Sequence, residues 1–258
     1  MKRILSLLGF AGVVLLASSA SAETVSGFNY GTIHPAYNAP GLPLLGSFYF
    51  RFTGDDHHIR HLSVMPEPSQ GTIMLAFHDA NWDDEYYYTV EHRRQTATTE
   101  IVTGSHSDIC KGSCTKPISK PAGDYVFVLR GFRMFYQGDD HHIDEIGIVE
   151  DNGNLSAFMN DKNNDDNIVW YADYAWVPRS FFSTVSRVSG EVTDGGTARV
   201  TIPAGTAVIR GWKFNYVHSD HHIKELGVMT KPGAIEVYYG DENGDDDMRY
   251  AVRYGILK

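Results

Sequence analysis

The chain has 258 residues, of which 42% are hydrophobic, and its formal net charge is −10. A chain of this length can form one large β domain or several small ones. The acidic balance argues against a nucleic-acid partner, because binding to phosphates requires a basic face.

Residues 1–22 predict a secretory signal peptide. Two basic residues open the segment, residues 4–17 are largely apolar, and the segment ends in Ala-Ser-Ala, the small residues of a cleavage site. We therefore expect a mature chain that begins at Glu23 and is secreted or periplasmic. No other segment has the roughly 18 apolar residues of a membrane span, so we expect no transmembrane segment in the mature chain.

Two polar motifs each occur three times along the chain. The histidine motif, Asp-His-His-Ile, begins at Asp56, Asp140 and Asp220. The acidic motif, Asp-x-Asn-x-Asp-Asp, follows each copy. Such regular spacing is typical of internal repeats. We therefore predict three β repeats of about 75–85 residues, which cover residues 23–100, 101–184 and 185–258.

Four strands are predicted in each repeat. The first has aromatic residues at alternate positions, as in Phe48, Phe50 and Phe52, a pattern typical of a half-buried strand. The second follows the histidine motif, and the third and fourth lie on either side of the acidic motif. Because no helical periodicity occurs beyond residue 22, we predict an all-β fold of antiparallel meander or sandwich-like units. The short connections favour packing of the units around a pseudo-threefold axis.

The meander prediction places both motifs of a repeat at the same end of a sheet, because the first and third chain reversals of a meander coincide. Several carboxylates would then lie close together. Two like charges about 4 Å apart cost about 1 kcal/mol even in water. A bound cation or protonated histidine would offset this repulsion.

The two motifs favour different metals. Alternate oxygen donors in the acidic motif suit a hard cation such as calcium, whereas imidazole suits zinc, copper, nickel or iron. We expect a divalent metal, with calcium favoured over zinc. Strand alternation does not decide which histidine of each pair faces the acidic motif. The candidate metal ligands are Asp56, His57, His58, Asp79, Asn81, Asp83, Asp140, His141, His142, Asp161, Asn163, Asp165, Asp220, His221, His222, Asp241, Asn243 and Asp245.

A structural interpretation competes with metal binding. Asp and Asn are common in turns because they hydrogen-bond backbone N–H groups, and a histidine beside them can hold two hairpins together. The first repeat has three further histidines, His61, His78 and His92, for which a surface position is the simpler expectation.

The two cysteines, Cys110 and Cys114, predict a disulfide if the chain is exported to an oxidising compartment. The alternative is half of a zinc site, which would need a second cysteine pair that the sequence lacks.

Three nearly equal sites favour binding over catalysis, and the sequence has no Gly-x-Ser-x-Gly or His-Glu-x-x-His signature. We therefore predict a non-enzymatic, lectin-like protein that uses a cation to recognise a glycan or an envelope component. Two alternatives stay open: a structural secreted or envelope protein, and a metal-dependent hydrolase. Aromatic residues that could contact a sugar ring are Trp82, Tyr87, Tyr171 and Tyr238.

Overall fold

Most of the described chain is β-strand. The computed structural model describes residues 21–37, 41–54, 58–79, 85–138, 142–161, 166–217, 222–241, 244 and 246–258. These residues form seventeen strands and one short 3-10 helix, Arg179–Phe181, and the strands form three antiparallel sheets. The prediction of an all-β fold is confirmed. Within the described residues, the structure contains no helix with the length and apolar character to span a membrane.

The strands follow the predicted alternation of apolar residues, with one face of most strands buried. In chain order they are β1 (Ser21–Tyr30), β2 (Leu42–Phe52), β3 (His61–Glu67), β4 (Thr72–His78), β5 (Glu85–Gln95), β6 (Val102–Lys111), β7 (Ser113–Pro117), β8 (Tyr125–Tyr136), β9 (Ile143–Asp151), β10 (Asn154–Asp161), β11 (Asn167–Pro178), β12 (Phe182–Val192), β13 (Gly196–Thr201), β14 (Thr206–Tyr216), β15 (Ile223–Lys231), β16 (Ala234–Asp241) and β17 (Met248–Leu257).

Each sheet joins strands from two distant parts of the chain. The first sheet has the order β1-β5-β2-β15-β16-β13, the second β4-β3-β8-β11-β6, and the third β12-β17-β14-β9-β10-β7. Each sheet has an antiparallel junction between its two parts. The residues that face each other there are Phe48 and Val228, Val64 and Phe132, and Ile148 and Trp212.

The meander predicted for each repeat is wrong. The first two predicted strands, β2 and β3, do not pair; β2 pairs with β5 and β15, and β3 pairs with β4 and β8. The physical reason is that each hairpin needs a partner for its open edge, since unpaired strand edges invite association. Here a hairpin from another part of the chain covers that edge, which local sequence does not reveal.

Aromatic side chains from the three central strands meet in the core. Phe48 of β2, Phe132 of β8 and Trp212 of β14 are fully buried, and their ring centroids are 4.9–5.3 Å apart. Aromatic pairs at such distances contribute about 0.5–1.5 kcal/mol each beyond the area that they bury. The contacts join the three sheets in the larger of two hydrophobic clusters.

The disulfide between Cys110 and Cys114 is confirmed, with the two Cα atoms 6.1 Å apart. Cys110 lies near the end of β6 in the second sheet, and Cys114 lies on β7 in the third sheet. The indole Nε1 of Trp170 donates a hydrogen bond to Cys114 Sγ at 3.1 Å. The disulfide therefore links the second and third sheets at the edge of the core.

Gly131 allows β8 to lie close to β3. A Cβ atom at this position would lie only 2.5 Å from the carbonyl oxygen of Val64 and 2.7 Å from Cδ of Pro66. We expect Gly131→Ala to destabilise the fold by about 1–3 kcal/mol through overpacking. The melting temperature, measured by circular dichroism, should fall by roughly 2–10 °C. The control Ser189→Ala changes an exposed strand residue, and equal melting temperatures for the two variants would contradict the prediction.

His92 is buried, unlike the surface position expected from the sequence. Its Nε2 lies 2.7 Å from the carbonyl oxygen of Arg130, to which a neutral ring donates its proton. Burial, together with the nearby Arg94 and Arg130 charges, lowers the pKa of His92 to about 3. His61 and His78 are buried as well. These three rings are therefore part of the interior.

The pKa of His92 makes stability depend on pH. The unfolded chain takes up a proton near the ordinary histidine pKa of about 6.5, whereas the folded chain does so only near pH 3. Stability attributable to this residue is therefore present above about pH 6.5 and is lost as the pH falls.

We expect His92→Gln, whose amide can still donate to the Arg130 carbonyl, to flatten the pH dependence of the unfolding free energy. The slope between about pH 6 and 4 should decrease by about 1.4 kcal/mol per pH unit, measured by urea unfolding. The exposed His34 supplies the control variant His34→Gln. A slope for His92→Gln equal to that of the unchanged protein would show that His92 is protonated in the folded state.

Candidate metal centre

The strands that flank the two motifs lie side by side in all three copies. In the first copy, the Thr53 N–H donates to the Glu85 carbonyl at 3.0 Å, and the Arg60 N–H donates to the His78 carbonyl at 2.8 Å. The equivalent pairs are Gln137 with Asn167, Ile143 with Asp161, Val217 with Asp247, and Ile223 with Asp241. In each copy the start of one loop therefore lies beside the end of the other, and both loops connect the same two sheets, which differs from a meander.

Twelve of the candidate ligands lie outside the described residues. They are Asp56, His57, Asn81, Asp83, Asp140, His141, Asn163, Asp165, Asp220, His221, Asn243 and Asp245. The remaining six are the second histidine of each histidine motif and the first aspartate of each acidic motif. They are His58, His142, His222, Asp79, Asp161 and Asp241.

The three described histidines come together from distant positions in the chain. Nε2 of His58 lies 2.9 Å from Nε2 of His222, and one nitrogen of each of His58, His142 and His222 lies within 4.8 Å of the others. The ring centroids are 4.5–5.7 Å apart. All three side chains are partly exposed. Each copy of the histidine motif thus contributes one histidine to a common cluster, a relation between copies that the motif alone did not reveal.

Buried isoleucines fix the backbone next to this cluster. Each histidine directly precedes an isoleucine with no exposed surface, and these residues are Ile59, Ile143 and Ile223. Because neighbouring residues of an extended chain point to opposite sides, an inward isoleucine directs the preceding histidine away from the apolar core. This is the signal that could have distinguished the second histidine of each pair from the first.

The nitrogen spacing of the cluster suits a small cation. Zinc binds histidine nitrogen at about 2.0–2.1 Å in tetrahedral geometry, which separates two ligand nitrogens by about 3.3 Å. The observed separations, from 2.9 Å to within 4.8 Å, bracket that value. Three imidazoles form a donor set for zinc, copper or nickel, whereas calcium takes six to eight oxygens. The cluster therefore favours a transition metal, and calcium stays a prediction for the acidic motifs.

The first aspartates of the acidic motifs are buried, with exposures of 1% for Asp79, 3% for Asp161 and 7% for Asp241. Oδ2 of Asp241 accepts a hydrogen bond from the Asp246 backbone N–H at 3.1 Å, which links the two ends of its motif. A described acidic residue therefore has the loop-closing role that the structural interpretation assigns to it.

Asp166, the last residue of the second acidic motif, accepts a hydrogen bond from the Tyr136 hydroxyl at 2.7 Å. Burial raises the pKa of Tyr136, and the hydrogen bond to Asp166 and the Asp161 charge raise it further, so this hydroxyl stays a donor. A Cβ atom at Gly138 would overlap the Asp166 carboxylate. The glycine before the second histidine motif therefore leaves room for an aspartate of the acidic motif.

His61 and His78 form a buried pair beside the cluster, in the first repeat alone. Their rings stack with centroids 5.4 Å apart, and His78 Nε2 lies 2.9 Å from Thr32 Oγ1. Burial lowers the pKa of His78 to about 4. Burial, aided by the charges of Arg133 and His78, lowers that of His61 to about 3. Both rings are therefore neutral at physiological pH.

No family model and no curated protein matches this chain.

We expect His58→Ala to weaken zinc binding at least roughly 100-fold, because even partners behind a ligand contribute about 10–100-fold to metal affinity. Isothermal titration of the purified protein with zinc measures this change. The matched control is His34→Ala, which removes an exposed histidine that pairs with Glu67 at 2.8 Å. Equal zinc affinity in the two variants would exclude His58 as a ligand.

Proposed function

We propose that the chain is an exported binding protein in which His58, His142 and His222 together hold one transition-metal ion. The observation that carries this proposal is the convergence of three nitrogens, one from each motif copy, to within 4.8 Å. Neutral imidazoles carry one N–H and one lone pair each. A cation between the rings would accept one lone pair from each of the three histidines.

In the proposed centre, each of the three repeats supplies one metal ligand. We infer that they are structural repeats around a pseudo-threefold axis, with one histidine of each at the axis. The similar junctions between sheet halves and the contact of Phe48, Phe132 and Trp212 support this arrangement. The expected stoichiometry is then one shared ion per chain, in place of the three separate metal corners predicted from the sequence.

Three protein ligands leave a coordination position open for a fourth donor. In a binding protein, an oxygen of the ligand takes this position, so the metal serves as an anchor. We propose a glycan or an envelope component as that ligand, in a secreted or periplasmic location that the predicted signal peptide supports. A structural protein would need the ion for stability only.

A second candidate function is metal-dependent hydrolysis. Three histidines around zinc with an open position are the ligand set that lowers the pKa of bound water to about 7. The observation that favours this candidate is the cluster of His58, His142 and His222. Hydrolysis of an activated ester that requires zinc and disappears in His58→Ala would favour it over the binding role.

We expect zinc, and not calcium, to stabilise the protein through the three histidines. At a free concentration about 100 times the dissociation constant, a ligand adds about 2.7 kcal/mol, which corresponds to a rise in melting temperature of roughly 5–10 °C. Elemental analysis after dialysis should give one zinc ion per chain, and the triple variant of His58, His142 and His222 to Ala should lose both effects. Three ions per chain, or a rise with calcium alone, would contradict the shared centre.

The binding role has its own measurement. The zinc-loaded protein should be retained on immobilised envelope polysaccharide more strongly than the protein in EDTA, whereas zinc should not increase the retention of the triple variant. His34→Ala again supplies the control. Equal retention of the triple variant and the control would show that ligand recognition does not depend on the metal.

A further inference from the structure

The outer face of the first sheet carries an open groove of about 640 Å³. Strands β1, β2 and β5 line it, and the side chains that give it its character are Ser26, Phe28, Tyr49, Arg51, Tyr87 and Thr89. Ligand sites in proteins have volumes of about 300–1,000 Å³. The groove is therefore large enough for a small molecule or several units of a polymer.

Aromatic rings form the walls of this groove. Phe28 is 46% exposed and Tyr87 50% exposed, and their ring centroids are 4.7 Å apart. Tyr49 lies on the other side, where its ring meets the edge of Tyr238 at 5.1 Å. Gly227 lies between these two tyrosines in the sheet and has no side chain to separate them. Rings from four strands thus face solvent together.

The other two sheets do not repeat this surface. Phe28, Tyr87 and Arg51 face one another across the first sheet. At the corresponding positions the second sheet has Ile109, Val169 and Phe135, and the third has Glu191, Arg249 and Asn215. The guanidinium of Arg60 lies over the Phe135 ring, 5.5 Å from its centroid. Since all three sheets share one construction, stability alone does not require exposed aromatic rings on the first.

The polar groups of the groove select the kind of ligand. The exposed Arg51 faces Glu225 on the neighbouring strand β15, so one positive and one negative side chain border the groove. Ser26 and Thr89 add hydroxyl groups. Burial and Glu225 raise the pKa of Tyr49 to about 12, so its phenol keeps its proton at physiological pH. The groove therefore combines flat apolar rings with hydrogen-bond donors and acceptors.

We propose that this groove is a carbohydrate-binding site that acts without the metal. A neutral sugar has apolar C–H faces, which pack against the electron-rich faces of aromatic rings, and hydroxyl edges, which suit Arg51 and Glu225. A charged ligand would find no unbalanced charge here. A wholly apolar ligand would bury the Arg51 and Glu225 charges at a cost in free energy.

Affinity electrophoresis in EDTA tests the site separately from the metal centre. The mature protein is run through native gels that contain neutral glucan, mannan, galactan or soluble chitin oligosaccharides. We expect at least one of them to retard the protein, and Tyr87→Ala to weaken that retardation at least tenfold. Arg249→Ala, which removes the exposed residue at the corresponding position of the third sheet, should bind as the unchanged protein does. Because EDTA removes any bound metal from the start, failure of the metal centre does not affect this result.

Retardation by none of these polysaccharides would overturn the proposal, as would equal retardation of Tyr87→Ala and Arg249→Ala. The groove also lies next to the edge strand β1, so a second copy of the chain is the competing occupant. Sedimentation velocity distinguishes the two, because a carbohydrate site predicts the same oligomeric state for Tyr87→Ala and the unchanged protein. A dimer that Tyr87→Ala dissociates would assign the groove to self-association.

Discussion

The contact of Phe48, Phe132 and Trp212 organises the whole structure. These rings come from the central strands of three different sheets, and their mutual packing excludes water from the line along which the sheets meet. The chain leaves each of these strands and soon reaches a buried isoleucine of a histidine motif. With the strands and the isoleucines both fixed, the three neighbouring histidines converge at one end of the core. The chemistry of the cluster is therefore a consequence of apolar packing.

The sequence predicts the strands well because burial of one strand face produces a local alternation of apolar residues. Phe48, Phe50 and Phe52 alternate with less buried residues, and the structure has them on one buried face of β2. The identity of the strand that pairs with a given edge produces no such local pattern. Nothing in the sequence near β2 indicates that β15, more than 170 residues away, completes its sheet. The meander prediction failed at this step.

The candidate site was predictable in part for the same reason. Local spacing identified the histidine motifs and the acidic motif that follows each, and the strands that flank the two motifs do lie side by side. It could not show that His58, His142 and His222 meet each other, because that contact depends on how the repeats pack. His61 illustrates a related limit, since β3 is covered on both faces and a polar residue there is buried although its sequence suggests a surface.

The exchange of strands between sheets has a consequence for the order in which the protein can fold. The first sheet needs strands from residues 21–95 and from residues 196–241. The N-terminal strands thus stay without half of their sheet until most of the chain has been synthesised, and contacts so distant in sequence form slowly. Such a delay suits the export proposed above, because the early segments cannot close into a finished domain while the later strands are still missing.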